Sequence, residues 1–336
     1  MKCLFYSSHC HLVSTNGCAC NTNARRYAQS LQCQTTYYKT MQSATAHKRR
    51  LYLERSTLQL LRIPFSVFLM PVYWFALSNI QHIQVWHAVL VFFILHVLVY
   101  PSSNGYNSYM DRDTTPVGGI ANPMQPTRQL LYVTLVMDAL ALLLSATVAL
   151  YFAAGIACYI LCSRMYSYRG IRLKKYPIIG FLTVILNQGA LVFLLVYIGC
   201  NQDTTIVPWQ PVVASALLIG GFYPITQVYQ HKADAADNVY TISMLLGIKG
   251  TFVFCALVYG LALLLLFNFY AALQTLTPFL IVQCFFIPVI VYFIVWFTKV
   301  LRNTAAADFR HTMRMNLLAS ACTNLAFICL LILHQL

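Results

Sequence analysis

Two twelve-residue stretches hold most of the residues in this chain that could do polar chemistry. Residues 100–111 read YPSSNGYNSYMD and residues 223–234 read YPITQVYQHKAD. Tyr, Pro, Tyr and Asp recur at the same four places, 123 residues apart. If each stretch is helical, Asn104, Asn107 and Asp111 fall at i, i+3 and i+7, on one face. Gln227, Gln230 and Asp234 repeat that spacing. A further acid follows each stretch, Asp113 and Asp237, and these four are half of the eight acids in the chain. Carboxylates that converge on one cavity repel unless a cation sits between them. Hard oxygen ligands in this number suit Mg²⁺, which keeps several waters and bridges carboxylates to phosphates. The expected metal set is Asn107, Asp111, Asp113, Gln230, Asp234 and Asp237, with Asp111 and Asp234 central to catalysis. The plainer alternative is a pair of solvated helix ends whose amides bridge helices.

A phosphate ligand also needs cations. Residues 166–177, YSYRGIRLKKYP, supply Arg169, Arg172, Lys174 and Lys175, although the charge rule of membrane proteins would put cations there in any case. Asn187 and Gln188 lie in an apolar run, as candidates to orient a polar acceptor or as interhelical hydrogen-bonding groups. Asp138 is an intramembrane acid, either functional or paired with a neighbouring helix. His87 and His96 read as satisfied helix histidines.

The elements that must position these groups are membrane helices. The chain has 336 residues, 59% hydrophobic and 9% charged, with mean hydropathy +0.65. That composition describes a polytopic membrane protein. Apolar runs at 61–79, 84–103, 129–146, 148–164, 178–200, 211–229, 250–269, 277–298 and 315–334 predict nine spans. They are continuously apolar and do not alternate, which disfavours a β-barrel. Residues 129–163 could be one tilted helix or two short ones. With two, and the N-terminus inside, all 22 Lys and Arg fall on one side of the membrane, as the positive-inside rule requires. Merging them would strand five cations of residues 164–175 on the wrong side. The predicted fold is therefore all-α and integral to the membrane, with nine helices around a central cavity. The acidic motifs lie at the cytoplasmic ends of the second and sixth. The +14 charge belongs to topology and lipid headgroups and gives no reason to invoke nucleic acid.

Residues 1–56 are polar, hold five of the twelve cysteines and have no acid before Glu54. They read as a mobile extension, with Met41 as an alternative start. A transit peptide and a metal site at His9, Cys10, His11, Cys18 and Cys20 are the competing readings; the spacing matches no common zinc pattern. The membrane domain is 57–336. A bacterial cell membrane is the expected location and an organelle membrane the alternative, with the active site cytoplasmic. The seven remaining cysteines read as small apolar residues.

These features together resemble the UbiA superfamily of intramembrane prenyltransferases over about residues 57–335. The first family motif, NxxxD, matches Asn107 and Asp111; its third acid falls at Thr115, with Asp113 close by. Counting back from Thr241-Ile242, with Gly247 as the later glycine, Asp234 matches the second acid of the family's DxxxD, and Gln230 replaces the first. Asp237 is extra. The usual Arg-Pro appears as Asn122-Pro123. Tyr166, Ser167, Arg172 and Lys174 match the loop between helices 4 and 5, and Arg62 and Pro64 resemble the family's start of helix 1. The resemblance implies a cavity open sideways to lipid and diphosphate contacts from Arg172, Lys174 and Tyr166. It also implies Mg²⁺-dependent transfer of a prenyl group from a prenyl diphosphate to an aromatic or other lipophilic acceptor, for which Asn187 is the candidate contact. The competing functions are a prenyl diphosphate cyclase on the same fold and a secondary transporter. Transporter sites lie near the midplane, whereas both motifs here sit at the membrane edge.

Overall fold

The computed structural model describes residues 52–203 and 206–335. The readings made above for residues 1–51, including Met41 and the His9–Cys20 set, lie outside the described residues. Residues 54–336 form one compact unit. Among the described residues the elements are helical, with two isolated β-bridges, Ile83 with Asn201 and Val117 with Ile120.

The first apolar run is broken rather than continuous. It forms α1 (Arg55–Leu60), a 3₁₀ turn (Ile63–Phe68) and α2 (Met70–Leu77), bent by 40°. Arg62 takes a left-handed conformation, φ 48°, and ends α1. Pro71 brings no N–H to the carbonyl of Val67, four residues earlier. That carbonyl is satisfied from elsewhere: Ser320 Oγ donates at 2.9 Å and Asn324 Nδ2 at 3.1 Å.

The second run is α3 (Val85–Asp111), extended well past the predicted end and widened by a π turn at Ile94–Val99, just before Pro101. Residues 129–163 divide into α4 (Arg128–Val148) and α5 (Leu150–Ser167), separated at Ala149, which is fully extended. Next comes α6 (Pro177–Cys200), with a second π turn at Leu186–Leu191. There Gly189 lets two backbones touch, since a Cβ would lie 2.5 Å from the Ala216 Cα. Ala216 belongs to α7 (Trp209–Gly220).

The sixth run departs most from expectation. After Gly220-Gly221 the chain forms a 3₁₀ turn at Tyr223–Gln227, opened by Pro224, and then a separate short helix, α8 (His231–Ala236). The remaining helices are α9 (Ile242–Ala272), kinked at Gly247 (φ 69°), α10 (Thr277–Arg302) and α11 (Phe309–Gln335).

By length and apolarity α3, α4, α6, α9, α10 and α11 can each cross a membrane, and the bent α1–α2 unit makes a seventh; α5 and α7 fall short of that measure. Large apolar side chains such as Leu143, Leu150 and Leu257 face outward, as a lipid solvent permits. Inside, Phe75, Phe193, Phe286 and Phe327 are buried in one aromatic core. The described cysteines are all free thiols.

Asp138 is paired rather than catalytic in its geometry. Arg164 Nε donates to Asp138 Oδ2 at 3.0 Å, and Arg164 Nη2 bonds Ser102 Oγ at 2.8 Å. Ser102 in turn donates to Asp138 Oδ1 at 2.6 Å. The Arg164 guanidinium also lies 4.0 Å from the Tyr106 ring centroid. One ion pair thus ties α3, α4 and α5 together. His96 is buried, with the Ser66 backbone as its polar neighbour, and packs against Phe92 and Tyr100.

Candidate active site

The end of α3, the loop after α5 and the segment around α8 meet at one end of the bundle. Asp111 is the last residue of α3, and Arg112 caps the helix in a left-handed conformation. The Asp111 side chain is only 5% exposed. Its Oδ2 accepts from Lys174 Nζ and from Asn107 Nδ2 at 2.8 Å, and Oδ1 lies 3.5 Å from Arg172 Nη2. Asp237 pairs with Arg172 Nη2 and with Arg169 Nη1 at 3.2 Å, while its carbonyl accepts from Arg172 Nη1 at 3.0 Å. Burial alone would raise the Asp237 carboxyl, but the Arg172 and Arg169 contacts outweigh it and hold it below its usual range. Four of the predicted residues, Asp111, Asp237, Arg172 and Lys174, therefore form one ion-paired roof.

Asp113 and Asp234 stand apart from that roof. No hydrogen bond or ion pair from the described residues reaches either carboxylate. Burial pushes Asp234 up to about 6; Asp113 and Asp111 add to the rise, and Lys174 and Arg172 oppose it. Burial and the nearby Asp111 charge also raise Asp113 above its ordinary value. Two unpaired carboxylates held in each other's field are the donor chemistry that a divalent cation relieves. Among the described residues no three His, Cys, Asp or Glu side chains already stand in a ligating cluster, so a metal would draw on these two acids, amide oxygens and phosphate. The residues present fit such an ion.

The second motif does not form the stripe that helical spacing predicted, because its backbone is a 3₁₀ turn followed by a break. Gln227 turns inward: its Nε2 donates to Tyr223 Oη at 2.8 Å and its Oε1 accepts from the Ser243 N–H at 3.4 Å. Gln230 Nε2 reaches the Pro116 carbonyl at 3.5 Å, leaving its amide oxygen unused by the described residues. Only Gln230 and Asp234 of this set reach the site. In the first motif the helix holds, and Asn107 also donates to Ser167 Oγ at 3.1 Å.

Below the roof lies a cavity of about 310 Å³. Arg62, Asn107, Tyr166, Ser167, Tyr229 and Gln230 line its mouth, and Val72, Phe75, Leu218 and Phe327 line its apolar part. Tyr166 and Tyr223 hydrogen-bond through their hydroxyls. Asn187 lines the cavity and donates to the Tyr159 carbonyl at 3.2 Å.

Arg62 is the site residue that spacing did not reveal. It is 8% exposed, and its Nη2 donates to Asn107 Oδ1 at 3.3 Å, Ser108 Oγ at 3.1 Å and the Asn104 carbonyl at 3.2 Å. Its signals were a cation at the start of an apolar run and the resemblance of Arg62 and Pro64 to the family's start of helix 1.

No curated protein matches the sequence. Among solved structures, a UbiA homologue from Archaeoglobus fulgidus bound to DMAPP and Mg²⁺ superposes with TM-score 0.63 at 18% identity, covering 83% of this chain and 99% of that one. The same homologue bound to GPP and Mg²⁺ gives 0.62 at 17%, with the same coverage. The apo UbiA homologue from Aeropyrum pernix K1 gives 0.60 at 17%, covering 80% and 98%. At these identities the likeness is one of fold. Residues 68–318 match the UbiA prenyltransferase family. The chain is a multi-pass membrane protein and belongs to the UbiA prenyltransferase family.

Proposed function

We propose that this protein transfers a prenyl group from a prenyl diphosphate to an aromatic or other lipophilic acceptor inside the membrane, with Mg²⁺. The observation that carries the reading is the juxtaposition of two unpaired, raised carboxylates, Asp113 and Asp234, with a cationic roof over an apolar cavity. The solved homologue holds DMAPP or GPP together with Mg²⁺. In this chain Asp113, Asp234 and the Gln230 amide oxygen are the groups free to hold the ion, with Asn107 and Asp111 beside them. When bound, the metal supplies Lewis-acid neutralisation of the leaving diphosphate.

The chain's own residues do the rest. Arg172 and Lys174 present their cations to phosphate oxygens, and Asp111 and Asp237 hold them in place until then. Tyr166, fixed by Tyr223, closes the mouth beside them. The allylic C–O bond breaks with its electron pair on the diphosphate, the acceptor bonds the freed carbon, and the acceptor gives up a proton to the departing diphosphate. The apolar walls keep water from the electron-poor carbon. In this reading nine helices span the bilayer, with α5 and the α7–α8 segment completing the count, and the roof faces the cytoplasm.

Asp111→Ala and Asp234→Ala are each expected to abolish transfer from a labelled prenyl diphosphate in Mg²⁺-containing membranes, while the protein still inserts. Full turnover by either variant would refute the site.

A further inference from the structure

Among the described residues that line the cavity, Arg62 at the mouth is the one with a formal charge. Deeper in, polar side chains still face it from α11, where Asn316, Ser320 and Thr323 share one side of the helix. Two of the three are already satisfied. Ser320 donates to the Val67 carbonyl and accepts from Asn324 Nδ2 at 3.1 Å. Thr323 bonds back to the Ala319 carbonyl.

Asn316 differs. It is 3% exposed, its Oδ1 is shielded without a donor, and no described residue accepts from its Nδ2. Tyr259, on the α9 wall of the same cavity, likewise has a shielded hydroxyl without a partner. A buried amide left unpaired in apolar surroundings is costly. The bonds within the protein give no reason for Asn316 to be there.

We infer that Asn316 docks the polar oxygen of an uncharged, lipid-soluble acceptor of phenol type, held against the α11 wall. A carboxylated or cationic acceptor would lie deep in this cavity without a counter-charge. A hydroxyl both donates and accepts, and turning the Asn316 amide offers either function to it. Phe68, Phe75, Phe222 and Phe327 line the same space and suit a flat ring. A ring hydroxyl also enriches the neighbouring ring carbon in electrons, which makes it the nucleophile that an allylic donor requires. The inference rests on the prenyl-transfer reading for the word acceptor, but the binding site does not.

The test is equilibrium binding to the full chain in lipid nanodiscs, with 2-naphthol and 2-methylnaphthalene as probes of equal shape. Asn316→Leu is expected to weaken 2-naphthol about tenfold, the worth of one hydrogen bond in a desolvated site. It is expected to leave 2-methylnaphthalene unchanged. Asn316→Ser, which keeps a hydroxyl in a smaller side chain, restores most of the 2-naphthol affinity. Equal loss of both probes, or unchanged 2-naphthol binding, overturns the assignment. Labelled geranyl diphosphate with Mg²⁺ is bound in parallel. If Asn316→Leu loses 2-naphthol selectively while no variant binds the diphosphate, the Asn316 site stands and prenyl transfer falls. If the diphosphate binds but 2-naphthol is indifferent to Asn316→Leu, the reverse holds.

Discussion

Asp234 ionises only near pH 6, so its charge is available to a cation at neutral pH and lost just below it. With Mg²⁺ limiting, where proton and cation compete for Asp234, transfer is expected to fall about tenfold per pH unit below 6, as for a single required ionisation, measured as kcat/KM; saturating Mg²⁺ should move the fall to lower pH. The same shift has a stability sign. The folded state holds the Asp234 proton more tightly than the unfolded chain, whose carboxyl keeps its ordinary value near 3.8. Its contribution is therefore most favourable below pH 4 and declines as pH rises to 6. Without divalent cations, the thermal midpoint of Asp234→Asn should gain on wild type across that interval, and Mg²⁺ above pH 6 should close the gap. At this scale the sequence showed Asp111, Asp113, Asp234, Arg172 and Lys174 as a set, because repeated acids and a cationic loop are local patterns. It did not show that Asp237 pairs with Arg169 and Arg172, since that depends on where those two arginines come to rest. Arg62 was equally hidden as a ligand of Asn107, 45 residues away.

Elements answer to backbone constraints more than to hydropathy. The predicted runs found most of the helices because 17–25 apolar residues are a strong signal, and charge divided residues 129–163 in two, with the break at Ala149 two residues beyond the expected one. The breaks were less legible. Pro71, Pro101 and Pro224 each sit where a helix bends, widens or stops, yet a proline in a membrane helix is tolerated when neighbours supply the missing bond. The second motif shows the cost of ignoring this: the Gly220-Gly221 pair and Pro224 turn a predicted stripe into a 3₁₀ turn, so Gln227 serves the backbone of Ser243. At the first break, Ser320 and Asn324 replace the donor that Pro71 lacks. Ser320→Ala with Asn324→Leu should destabilise the fold by about 1–3 kcal/mol, the cost of a buried orphan carbonyl. Pro71→Ala, which returns a local N–H, should reduce that loss. Thermal unfolding in one detergent, compared across the three variants and their combination, measures both effects.

The whole molecule follows from a cavity closed by helices from both ends of the chain. The proposed nine spans, an odd number, would put the C-terminus across the membrane from the ion-paired roof. A side-specific reporter after residue 336 and a cysteine-labelling site at Lys232, on the exposed face of α8, are expected to give opposite accessibility in sealed vesicles. The same side for both would reduce the span count by one. Overall charge and hydropathy made the bundle readable, while the pairing of Asp138 with Arg164 did not show, because it needs the α4–α5 hairpin to exist first. The contact between Val67 and Ser320 spans 253 residues, which bears on biosynthesis. At about 5–20 residues per second, a ribosome needs roughly 13–50 seconds to deliver the donor that the first broken helix lacks. Throughout that interval the nascent chain carries an unfinished seam at the first broken helix, which closes only when α11 docks.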